Sequence, residues 1–244
     1  MYKRFHYLFI IAFLGLNVAC SDQQSDTKKE TVASETKVIE TATTVATPVD
    51  DSDEPYRENL HYARIPTPQA TASDKNRIEV VEMFFYACPH CYKLEPTIEQ
   101  WLKKKADDVD FVRVPAIIGP TWAEQAKAFY IAEDLGIADT VRKKLFDSIH
   151  KDGKQYYNEY TLMTFFTEQG VDADRFLELY ESDEIMKKAS EARVKTVRYG
   201  IRGVPAIIVD GKYYTATYFV RDHNEMLRVV DYLIEKARKE SKTN

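Results

Sequence analysis

The chain has few cysteines, with three among its 244 residues: Cys20, Cys88 and Cys91. Three are too few for a small fold that several disulfide bridges hold together. They are also too few for a structural zinc site of four ligands unless histidines take part, and the five histidines show no paired spacing. The two cysteines that lie close together therefore reflect reactivity, an ordinary disulfide bridge or chance.

The sequence also lacks an excess of positive charge. Lys and Arg total 34 and Asp and Glu total 39, which gives a formal net charge of −5. A protein that binds nucleic acid needs a basic surface to neutralise phosphates, so this balance argues against nucleic acid as a partner. Hydrophobic residues make up 44% of the chain, which is sufficient for a packed core.

The first residues contain an apolar run that is too short for a transmembrane helix. Lys3 and Arg4 give a positive start, 5–19 contains no Asp, Glu, Lys or Arg, and 8–16 is the apolar centre. A membrane span needs about 20 apolar residues. The pattern is typical of a secretory signal peptide, which we predict to comprise 1–19.

The segment Leu16-Asn17-Val18-Ala19-Cys20 resembles the lipobox of bacterial lipoproteins, in which the cysteine is lipidated and becomes the new N-terminus. The segment departs from that pattern because Asn17 stands where leucine is usual. One alternative is ordinary signal peptidase cleavage near Ala19, with no role for Cys20. We predict lipidation of Cys20, since a polar segment follows it and several acyl chains on one cysteine would anchor the protein firmly to a membrane.

Residues 21–53 contain no aromatic residue and no glycine, and they are rich in Thr, Ser, Ala, Val, Lys, Asp and Glu. Such a stretch cannot bury enough apolar surface to offset the entropy that is lost on ordering. We predict a disordered tether of 33 residues, which together with Cys20 forms the segment 20–53. A flexible chain of this length has a reach of roughly 30 Å.

Regular secondary structure is predicted in the remainder of the chain. The apolar run 78–86 predicts a strand that is covered on both faces, and a helix follows from Cys88. Residues 119–198 have the periodicity of several helices. The dipeptide Asp210-Gly211 between two short strand-like runs predicts a β-hairpin. The order of strand, helix, strand, helical block, hairpin and helix indicates the α/β class.

Polar residues mark the starts of two helices in the helical block. Thr121 and Glu124 have the spacing of a capping box, which predicts that the first of these helices begins there. Asp172 is predicted to cap a later helix, because its carboxylate can accept a hydrogen bond from a free backbone N–H group of the first turn.

The motif Cys88-Pro89-His90-Cys91 directly follows the buried strand and opens the helix. Backbone N–H groups and the positive end of the helix favour an anion at Cys88, and the thiolate is the reactive form of cysteine. His90 can donate a hydrogen bond to that thiolate or lie charged beside it. Pro89 restricts the turn, and Cys91 lies one turn further in, where it can resolve a mixed disulfide.

This pattern predicts a redox-active pair. Stabilisation of the thiolate predicts in which direction the pair exchanges electrons. A stable thiolate favours the reduced form, so the disulfide becomes a strong oxidant. A zinc site is an alternative that needs two further ligands. A purely structural disulfide is another, although a loop of four residues stabilises the fold little.

The stretch Val81-Glu82-Met83-Phe84-Phe85-Tyr86-Ala87-Cys88-Pro89-His90-Cys91-Tyr92 resembles the active-site segment of the DsbA family of periplasmic thiol oxidases. Gly200-Ile201-Arg202-Gly203-Val204-Pro205 is similar to the cis-proline loop of that family. The resemblance implies an α/β thioredoxin-like fold with an inserted all-helical domain. The corresponding boundaries are 54–118 and 199–244 for the thioredoxin-like domain and 119–198 for the insertion.

The resemblance also implies a role for each site residue. Cys88 is the surface nucleophile and Cys91 the resolving thiol. Pro205 follows a cis peptide bond, and the backbone of Val204 pairs with an extended substrate peptide. Glu82 lies beneath the redox pair, where it can exchange protons with Cys91. From the residues alone, Pro205 could equally follow a trans bond, and Glu82 could face solvent at a strand edge.

The function implied is that of a dithiol oxidase, which passes the Cys88–Cys91 disulfide to folding secreted proteins and needs neither a cofactor nor a metal. A membrane quinone-linked partner of the DsbB type would restore the disulfide. We expect a periplasmic monomer that lipidated Cys20 tethers to a membrane, although soluble periplasmic members of the family lack both the lipobox-like start and the tether. The alternatives are a disulfide isomerase or reductase kept reduced by another donor, and a peptide-binding module whose cysteines are incidental.

Several residues outside the motif receive simpler interpretations. His61, His150 and His223 have no partner visible in the sequence, and we predict them to lie at the surface. Trp101 and Trp122 are predicted to belong to the core rather than to the site.

Overall fold

The computed structural model describes residues 54–74 and 76–242. The predicted signal peptide (1–19), the lipidation site Cys20 and the tether (21–53) lie outside the described residues, so these three remain predictions. Among the helices of the described part, none has the length and apolarity that crossing a membrane requires.

The described chain forms five strands and seven α-helices, and one short 3₁₀ helix (Thr217–Phe219) precedes the last of them. In chain order these are β1 (Ala63–Arg64), β2 (Ile78–Phe84), α1 (Pro89–Leu102), β3 (Val109–Pro115), α2 (Pro120–Asp134), α3 (Ala138–His150), α4 (Glu159–Glu168), α5 (Ala173–Tyr180), α6 (Asp183–Arg198), β4 (Ala206–Val209), β5 (Tyr213–Ala216) and α7 (His223–Ser241). The order agrees with the one that the sequence predicts.

The strands form one mixed sheet in the order β1-β5-β4-β2-β3. β2 pairs in parallel with β3, and the other three pairings are antiparallel. All seven residues of β2 are buried, because clusters of apolar side chains cover both faces of the sheet. One cluster joins β2 and β4 to α1 and α7, and another joins the opposite face to α2 and α6. This buried interior strand carries the active-site turn at its end.

Five helices, α2 to α6, follow one another between β3 and β4. The predicted capping box at the start of α2 is wrong: Gly119 is the N-cap, and no side chain caps this end of the helix. The reason is Pro120, which suits the first helical position and therefore starts the helix one residue before Thr121. At the start of α5 the expectation from the sequence is met, since the side chain of Asp172 accepts a hydrogen bond from the backbone of Arg175.

The hairpin between β4 and β5 has the turn that the sequence predicts. Asp210 and Gly211 both have positive φ angles, 52° and 60°, as a type I′ turn requires. Gly211 is also constrained by contact, because a Cβ atom there would lie 2.2 Å from the carbonyl oxygen of Gln69. The turn thus fixes the register of β4, the strand that follows the cis-proline loop.

Candidate active site

Cys88 occupies the N-cap of α1, four residues after the end of β2. The backbone N–H of Cys88 donates to the carbonyl of Phe85 at 3.0 Å, which closes the turn between strand and helix. Pro89 fills the first helical position, where its missing N–H removes no helical hydrogen bond. The side chains of Pro89 and His90 are exposed, that of Cys88 is partly buried and that of Cys91 is fully buried.

The surroundings of Cys88 lower the pKa of its thiol to about 6. A hydrogen bond from the Cys91 side chain contributes most, followed by the backbone N–H groups of Cys91 and His90 and by the charge of the His90 ring. Partial burial opposes these effects. Cys88 is therefore largely a thiolate at neutral pH, which is the nucleophilic and leaving form of the residue.

Cys91 shows the opposite behaviour. Burial, the hydrogen bond that its thiol gives to Cys88 and the negative charge at Cys88 raise its pKa well above the ordinary thiol value. Both cysteines are free thiols, so the structure corresponds to the reduced form. In this form the thiol of Cys91 keeps its proton and donates a hydrogen bond to the thiolate of Cys88.

The cis-proline loop lies against the exposed end of the pair. The peptide bond between Val204 and Pro205 is cis, in agreement with the expectation from the resemblance. The carbonyl oxygen of Val204 lies 3.3 Å from Cys88 Sγ, and a protonated Cys88 donates a hydrogen bond to it. The loop, which is distant in sequence, thus meets the reactive sulfur.

Glu82 is fully buried in the interior strand β2, which excludes the alternative of a glutamate that faces solvent at a strand edge. Burial is the main cause that raises its pKa to about 8, and the nearby carboxylate of Glu95 adds to the effect. Arg113, its register partner on β3, opposes the shift and places its Nε 3.1 Å from Glu82 Oε2. The charge of Glu82 in turn raises the pKa of Cys91, so the two groups are electrostatically coupled.

Glu82 and Arg113 belong to a larger ionic cluster whose other members were not predicted from the sequence. Glu95 of α1 lies 3.0 Å from Arg142 Nε and 3.7 Å from Arg113 Nη2. Burial raises the pKa of Glu95, although both guanidinium groups oppose it. Arg113 could have been suspected from the sequence as a charged residue inside a strand. Arg142 carries no such signal, because it belongs to α3 and reaches the site through tertiary packing.

Comparisons with known proteins agree with this geometry. A family model described as "DSBA-like thioredoxin domain" matches residues 108–232. The thiol:disulfide interchange protein DsbA of Azotobacter vinelandii is 38% identical over 177 residues, which is 72% of this chain and 82% of that protein. The protein of the same name from Pseudomonas aeruginosa is 36% identical over 187 residues, 77% of this chain and 88% of that protein.

The chain belongs to the DsbA family. The crystal structure of Pseudomonas aeruginosa DsbA superimposes with a TM-score of 0.72 at 36% identity, and the match covers 77% of this chain and 97% of that chain. The DsbA of Xylella fastidiosa gives a TM-score of 0.68 at 33% identity, and the match covers 73% of this chain and 96% of that chain. The predicted fold class, an α/β thioredoxin-like fold with inserted helices, is confirmed. The protein is a thiol:disulfide oxidoreductase, a dithiol oxidase whose redox group is a disulfide of the DsbA type.

In this member of the DsbA family, the helical block also holds the active-site turn in place. Gln125 of α2 is buried, and its side-chain oxygen accepts a hydrogen bond from the backbone N–H of Ala87 at 3.0 Å. Its side-chain nitrogen donates to the carbonyl of Tyr156 at 3.4 Å. Gln125 therefore links the residue before Cys88 to the helical block, a role that was not predicted from the sequence.

A second link runs through Tyr92, the residue after Cys91. Its hydroxyl donates to Asp147 of α3 at 2.8 Å, and its ring stacks on His150 at 4.7 Å between centroids. His150 Nε2 lies 2.7 Å from the carbonyl oxygen of Tyr86. The prediction that His150 is a surface residue is therefore wrong, because α3 brings it against the active-site turn.

The predictions for the other individual histidines and tryptophans have mixed outcomes. His61 and His223 are partly buried rather than exposed, and His223 lies close enough to His90 for the ring of His90 to lower its pKa, although burial is the larger cause. Trp101 is buried in the core as predicted. Trp122 is partly buried and stacks on Phe85 at 3.8 Å.

No group of three or more His, Cys, Asp or Glu side chains within residues 54–74 and 76–242 has an arrangement suitable for a metal ion. Cys88, Cys91 and His90 are close together, but Glu82 and Glu95 are engaged with arginines.

Proposed function

We propose that this protein donates the Cys88–Cys91 disulfide to folding secreted proteins in the bacterial periplasm. The observation that supports this direction is the opposite environment of the two sulfurs. The thiolate of Cys88 is stabilised while the thiol of Cys91 keeps its proton. A stabilised reduced form makes the disulfide a strong oxidant, and DsbA proteins are an established example of this relationship.

The first step is attack by a client thiolate on Cys88 Sγ. A bond forms between the client sulfur and Cys88, the bond between Cys88 and Cys91 breaks, and Cys91 leaves as a thiolate that takes up one proton. Cys88 is the sulfur that a client can reach, since Cys91 is fully buried. We assign Cys88 as the exchanging sulfur and Cys91 as the resolving one.

In the second step, another client thiolate attacks the client sulfur of the mixed disulfide. The client gains its disulfide, and Cys88 leaves as the stabilised thiolate. Two electrons have then moved from the client to the protein, which ends as the dithiol seen in the structure. A low pKa makes Cys88 a good leaving group, so release of the client is fast.

We assign Glu82 as the group that exchanges a proton with Cys91. The carboxyl group is fully buried and close enough to the resolving thiol for its charge to raise the pKa of Cys91. Its own raised pKa of about 8 allows it to carry a proton at neutral pH. When Cys91 leaves as a thiolate, a protonated Glu82 can supply the proton directly or through a water molecule. Arg113 holds the carboxylate form that results.

Val204 and Pro205 supply the surface for the client. The Val204 carbonyl oxygen lies 3.3 Å from Cys88 Sγ, so a client peptide that reaches this sulfur also comes close to the loop. An extended peptide can add to the loop by backbone hydrogen bonds, which explains how clients of many sequences are accepted. Pro89 and His90, which follow Cys88 in the chain, are exposed as well.

Family membership and the N-terminal sequence support a proposal for the setting of the reaction. A quinone-linked membrane protein of the DsbB type would reoxidise the dithiol, and lipidated Cys20 would hold the enzyme at a membrane as a tethered monomer. We retain the division into a thioredoxin-like domain (54–118 and 199–244) and a helical insertion (119–198). The run of helices α2 to α6 between β3 and β4 supports it.

The test uses the oxidised full-length protein and a reduced, unfolded client that has two cysteines. We expect the wild type to transfer its disulfide stoichiometrically, Cys88→Ser to transfer none, and Cys91→Ser to accumulate a stable mixed disulfide when the client is offered in oxidised form. Non-reducing electrophoresis and mass spectrometry follow each species. The equilibrium with glutathione, measured in parallel, should show a potential nearer to the oxidising end of the thioredoxin-like proteins.

Two results would contradict the proposal. A strongly reducing potential together with reshuffling of a client with wrong disulfides would favour the isomerase or reductase alternative. Retention of disulfide transfer in Cys88→Ser would remove Cys88 from the chemistry. Ser190→Ala, at an exposed position on α6, is the matched surface variant and should behave as the wild type.

A further inference from the structure

A cavity of about 670 Å³ opens beside the cis-proline loop, between that loop and the β1–β5 edge of the sheet. It is lined by Arg64, Pro66, Tyr199, Gly200, Arg202, Gly203, Tyr214 and Tyr218. Its volume is in the range of pockets that hold a small molecule or a few side chains. The mechanism described above uses none of these eight residues.

The cavity adjoins the reaction site because the two share the cis-proline loop. Gly203 lines the cavity and directly precedes Val204, whose carbonyl oxygen lies 3.3 Å from Cys88 Sγ. Successive Cα atoms are about 3.8 Å apart, so Arg202 lies roughly two residues from the point where the client sulfur reacts. A peptide that pairs with the loop therefore brings a neighbouring side chain to this cavity.

The charge of the cavity is positive and incompletely neutralised. Arg64 is engaged, since its Nε donates to Glu58 at 2.9 Å and its Nη1 donates to Tyr213 at 3.1 Å. Arg202 is exposed, and no carboxylate among the described residues lies within ion-pair distance of it. The guanidinium of Arg202 is close enough to Tyr218 to act on the pKa of that phenol.

The tyrosines give the cavity walls that combine apolar rings with hydroxyl groups. Tyr218 is 61% exposed, and its ring packs against Phe219 at 4.6 Å, while Tyr214 approaches the same phenylalanine at 5.8 Å. The hydroxyls of Tyr214 and Tyr218 hydrogen-bond to each other, which leaves one hydroxyl proton of the pair free. That proton and the guanidinium of Arg202 match a carboxylate, which accepts hydrogen bonds at both oxygens. An uncharged aliphatic side chain would gain less, because it offers no acceptor and no negative charge to the guanidinium of Arg202.

We propose that this cavity is a client-selecting subsite that binds an acidic side chain of the client about two or three residues from its reacting cysteine. The inference rests on the proposed function, because it assumes that client peptides bind along the cis-proline loop. Arg202 is the residue that recognises the carboxylate, and Tyr214 and Tyr218 flank it. Clients with Asp or Glu near a cysteine then bind in preference to otherwise identical clients.

Binding is tested apart from redox chemistry with peptides that carry serine in place of the reacting cysteine. Glu or Gln is placed two or three residues to either side of that serine, and fluorescence anisotropy gives the Kd for oxidised full-length protein. We expect the best Glu peptide to bind about fivefold more tightly than its Gln counterpart, as an exposed ion pair permits. Raising ionic strength from about 0.1 M to about 1 M should remove most of this preference.

Variants of the chain assign the effect to the cavity. Arg202→Gln should abolish the preference for Glu, and Arg202→Glu should reverse it. Arg193→Gln, an exposed arginine on α6 that does not line the cavity, should keep it. Because Arg202 is exposed, both substitutions should leave thermal unfolding unchanged, which is measured on the same samples.

The outcomes separate this inference from the proposed function. Equal Kd values for Glu and Gln peptides at every position, or a preference that persists in Arg202→Gln, would overturn the subsite. Disulfide transfer to a neutral cysteine peptide is measured independently. Its failure together with a retained Glu preference would contradict the oxidase role and leave the subsite standing.

Discussion

Cys88 and Cys91 lie three positions apart in one turn of helix, yet their surroundings push their pKa values in opposite directions. Cys88 is partly exposed at the N-cap of α1 and receives hydrogen bonds from the thiol of Cys91 and from two backbone N–H groups. Cys91 is fully buried, and its thiol gives its hydrogen bond to the negatively charged sulfur of Cys88. Both residues lie near the same helix terminus, so proximity to it is not sufficient to explain the difference.

The comparison shows that burial and hydrogen-bond direction decide which sulfur becomes the anion. The helix supplies N–H donors at its first turn, but those donors serve Cys88 because that sulfur lies outside the turn. Cys91 lies inside it, where desolvation disfavours charge. The sulfur of Cys88 can therefore exchange with clients while the sulfur of Cys91 holds a proton. This asymmetry sets the direction of disulfide exchange.

The largest expected effect is the separation between the two titrations. In the reduced protein, Cys88 should titrate near pH 6, and Cys91 should titrate well above the ordinary thiol value. The pH dependence of alkylation by iodoacetamide, with mass spectrometry to assign each thiol, measures both midpoints. Cys91→Ala should raise the Cys88 midpoint, because the largest stabilising hydrogen bond is lost.

Cys88→Ala is the matched variant for the buried thiol, and it should lower the Cys91 midpoint because the adjacent negative charge is removed. A Cys88 midpoint near about 8.5, the ordinary value for a free thiol, would contradict the account of the redox pair. An unchanged midpoint in Cys91→Ala would show that the backbone donors alone stabilise the thiolate.

The second expected effect concerns Glu82, the buried carboxyl group that is electrostatically coupled to Cys91. The folded-state pKa of Glu82 is raised from 4.5 to about 8, so between about pH 4.5 and pH 8 the folded protein holds a proton that the unfolded chain has released. Stability therefore falls as pH rises through this window. Glu82→Gln removes one contribution, and we expect the free energy of unfolding to fall less steeply, with a difference on the order of 1–4 kcal/mol at the upper end.

Urea unfolding at a series of pH values between about 4 and about 9 measures this slope, since the pKa window of Glu82 lies inside that range. Some dependence should remain in Glu82→Gln, because the pKa of Glu95 is also raised. Glu99→Gln is a suitable control, since its carboxylate is 54% exposed and lies 3.7 Å from Arg142. Parallel slopes for wild type and Glu82→Gln would show that Glu82 titrates normally.

The third effect tests the link between the helical block and the turn. Gln125→Leu removes the acceptor for the Ala87 N–H and the donor for the Tyr156 carbonyl, and a buried backbone group without a partner costs about 1–3 kcal/mol. We expect the free energy of unfolding to fall by that amount. Gln100→Leu on the exposed side of α1 should change it by less than about 0.5 kcal/mol.

Equilibrium unfolding in urea gives both values. If Gln125→Leu were as stable as the control, the hydrogen bonds of Gln125 would be dispensable for the fold. A loss of stability accompanied by slower disulfide transfer would indicate that the link also positions Cys88, which the control variant should not affect.

The parts of the molecule that sequence predicts are those with a local signal. The CPHC motif, the Asp210-Gly211 turn and the cap at Asp172 are each specified within a few residues, and the structure shows them where expected. The cap at Thr121 failed because Pro120, a competing local signal, prefers the first helical position.

The parts that could not be predicted depend on contacts between distant segments. Arg142, Gln125 and His150 come from helices of the insertion, and each meets the active-site turn or the charge cluster only after the chain has folded. Helical periodicity says which face of α2 or α3 is apolar, but not which polar side chain at its border will reach a partner. The resemblance to the DsbA family implied roles for residues beside the redox pair, but it implied no role for any of these three.

The smallest expected effect concerns His90, the exposed residue beside Cys88. His90 contributes to the low pKa of Cys88 by its charge, but this is the last of the causes, and the backbone N–H of residue 90 remains in any variant. His90→Ser should therefore make the disulfide less oxidising by about 30 mV or less, since about 30 mV corresponds to about 1.4 kcal/mol for two electrons. Equilibration with glutathione buffers of known ratio measures the change.

Lys93→Ser, an exposed position on the same helix, is the matched control for loss of one positive charge near the turn. An equal change in both variants would mean that general charge, rather than the position of the imidazole next to Cys88, sets the potential. A change much larger than expected in His90→Ser alone would mean that the ring acts by more than its charge, for instance by a hydrogen bond to the thiolate that forms when Cys88 leaves. Because the buried thiol of Cys91 is untouched in either variant, its titration should stay where it is, and any shift there would show that the two ends of the turn are not independent.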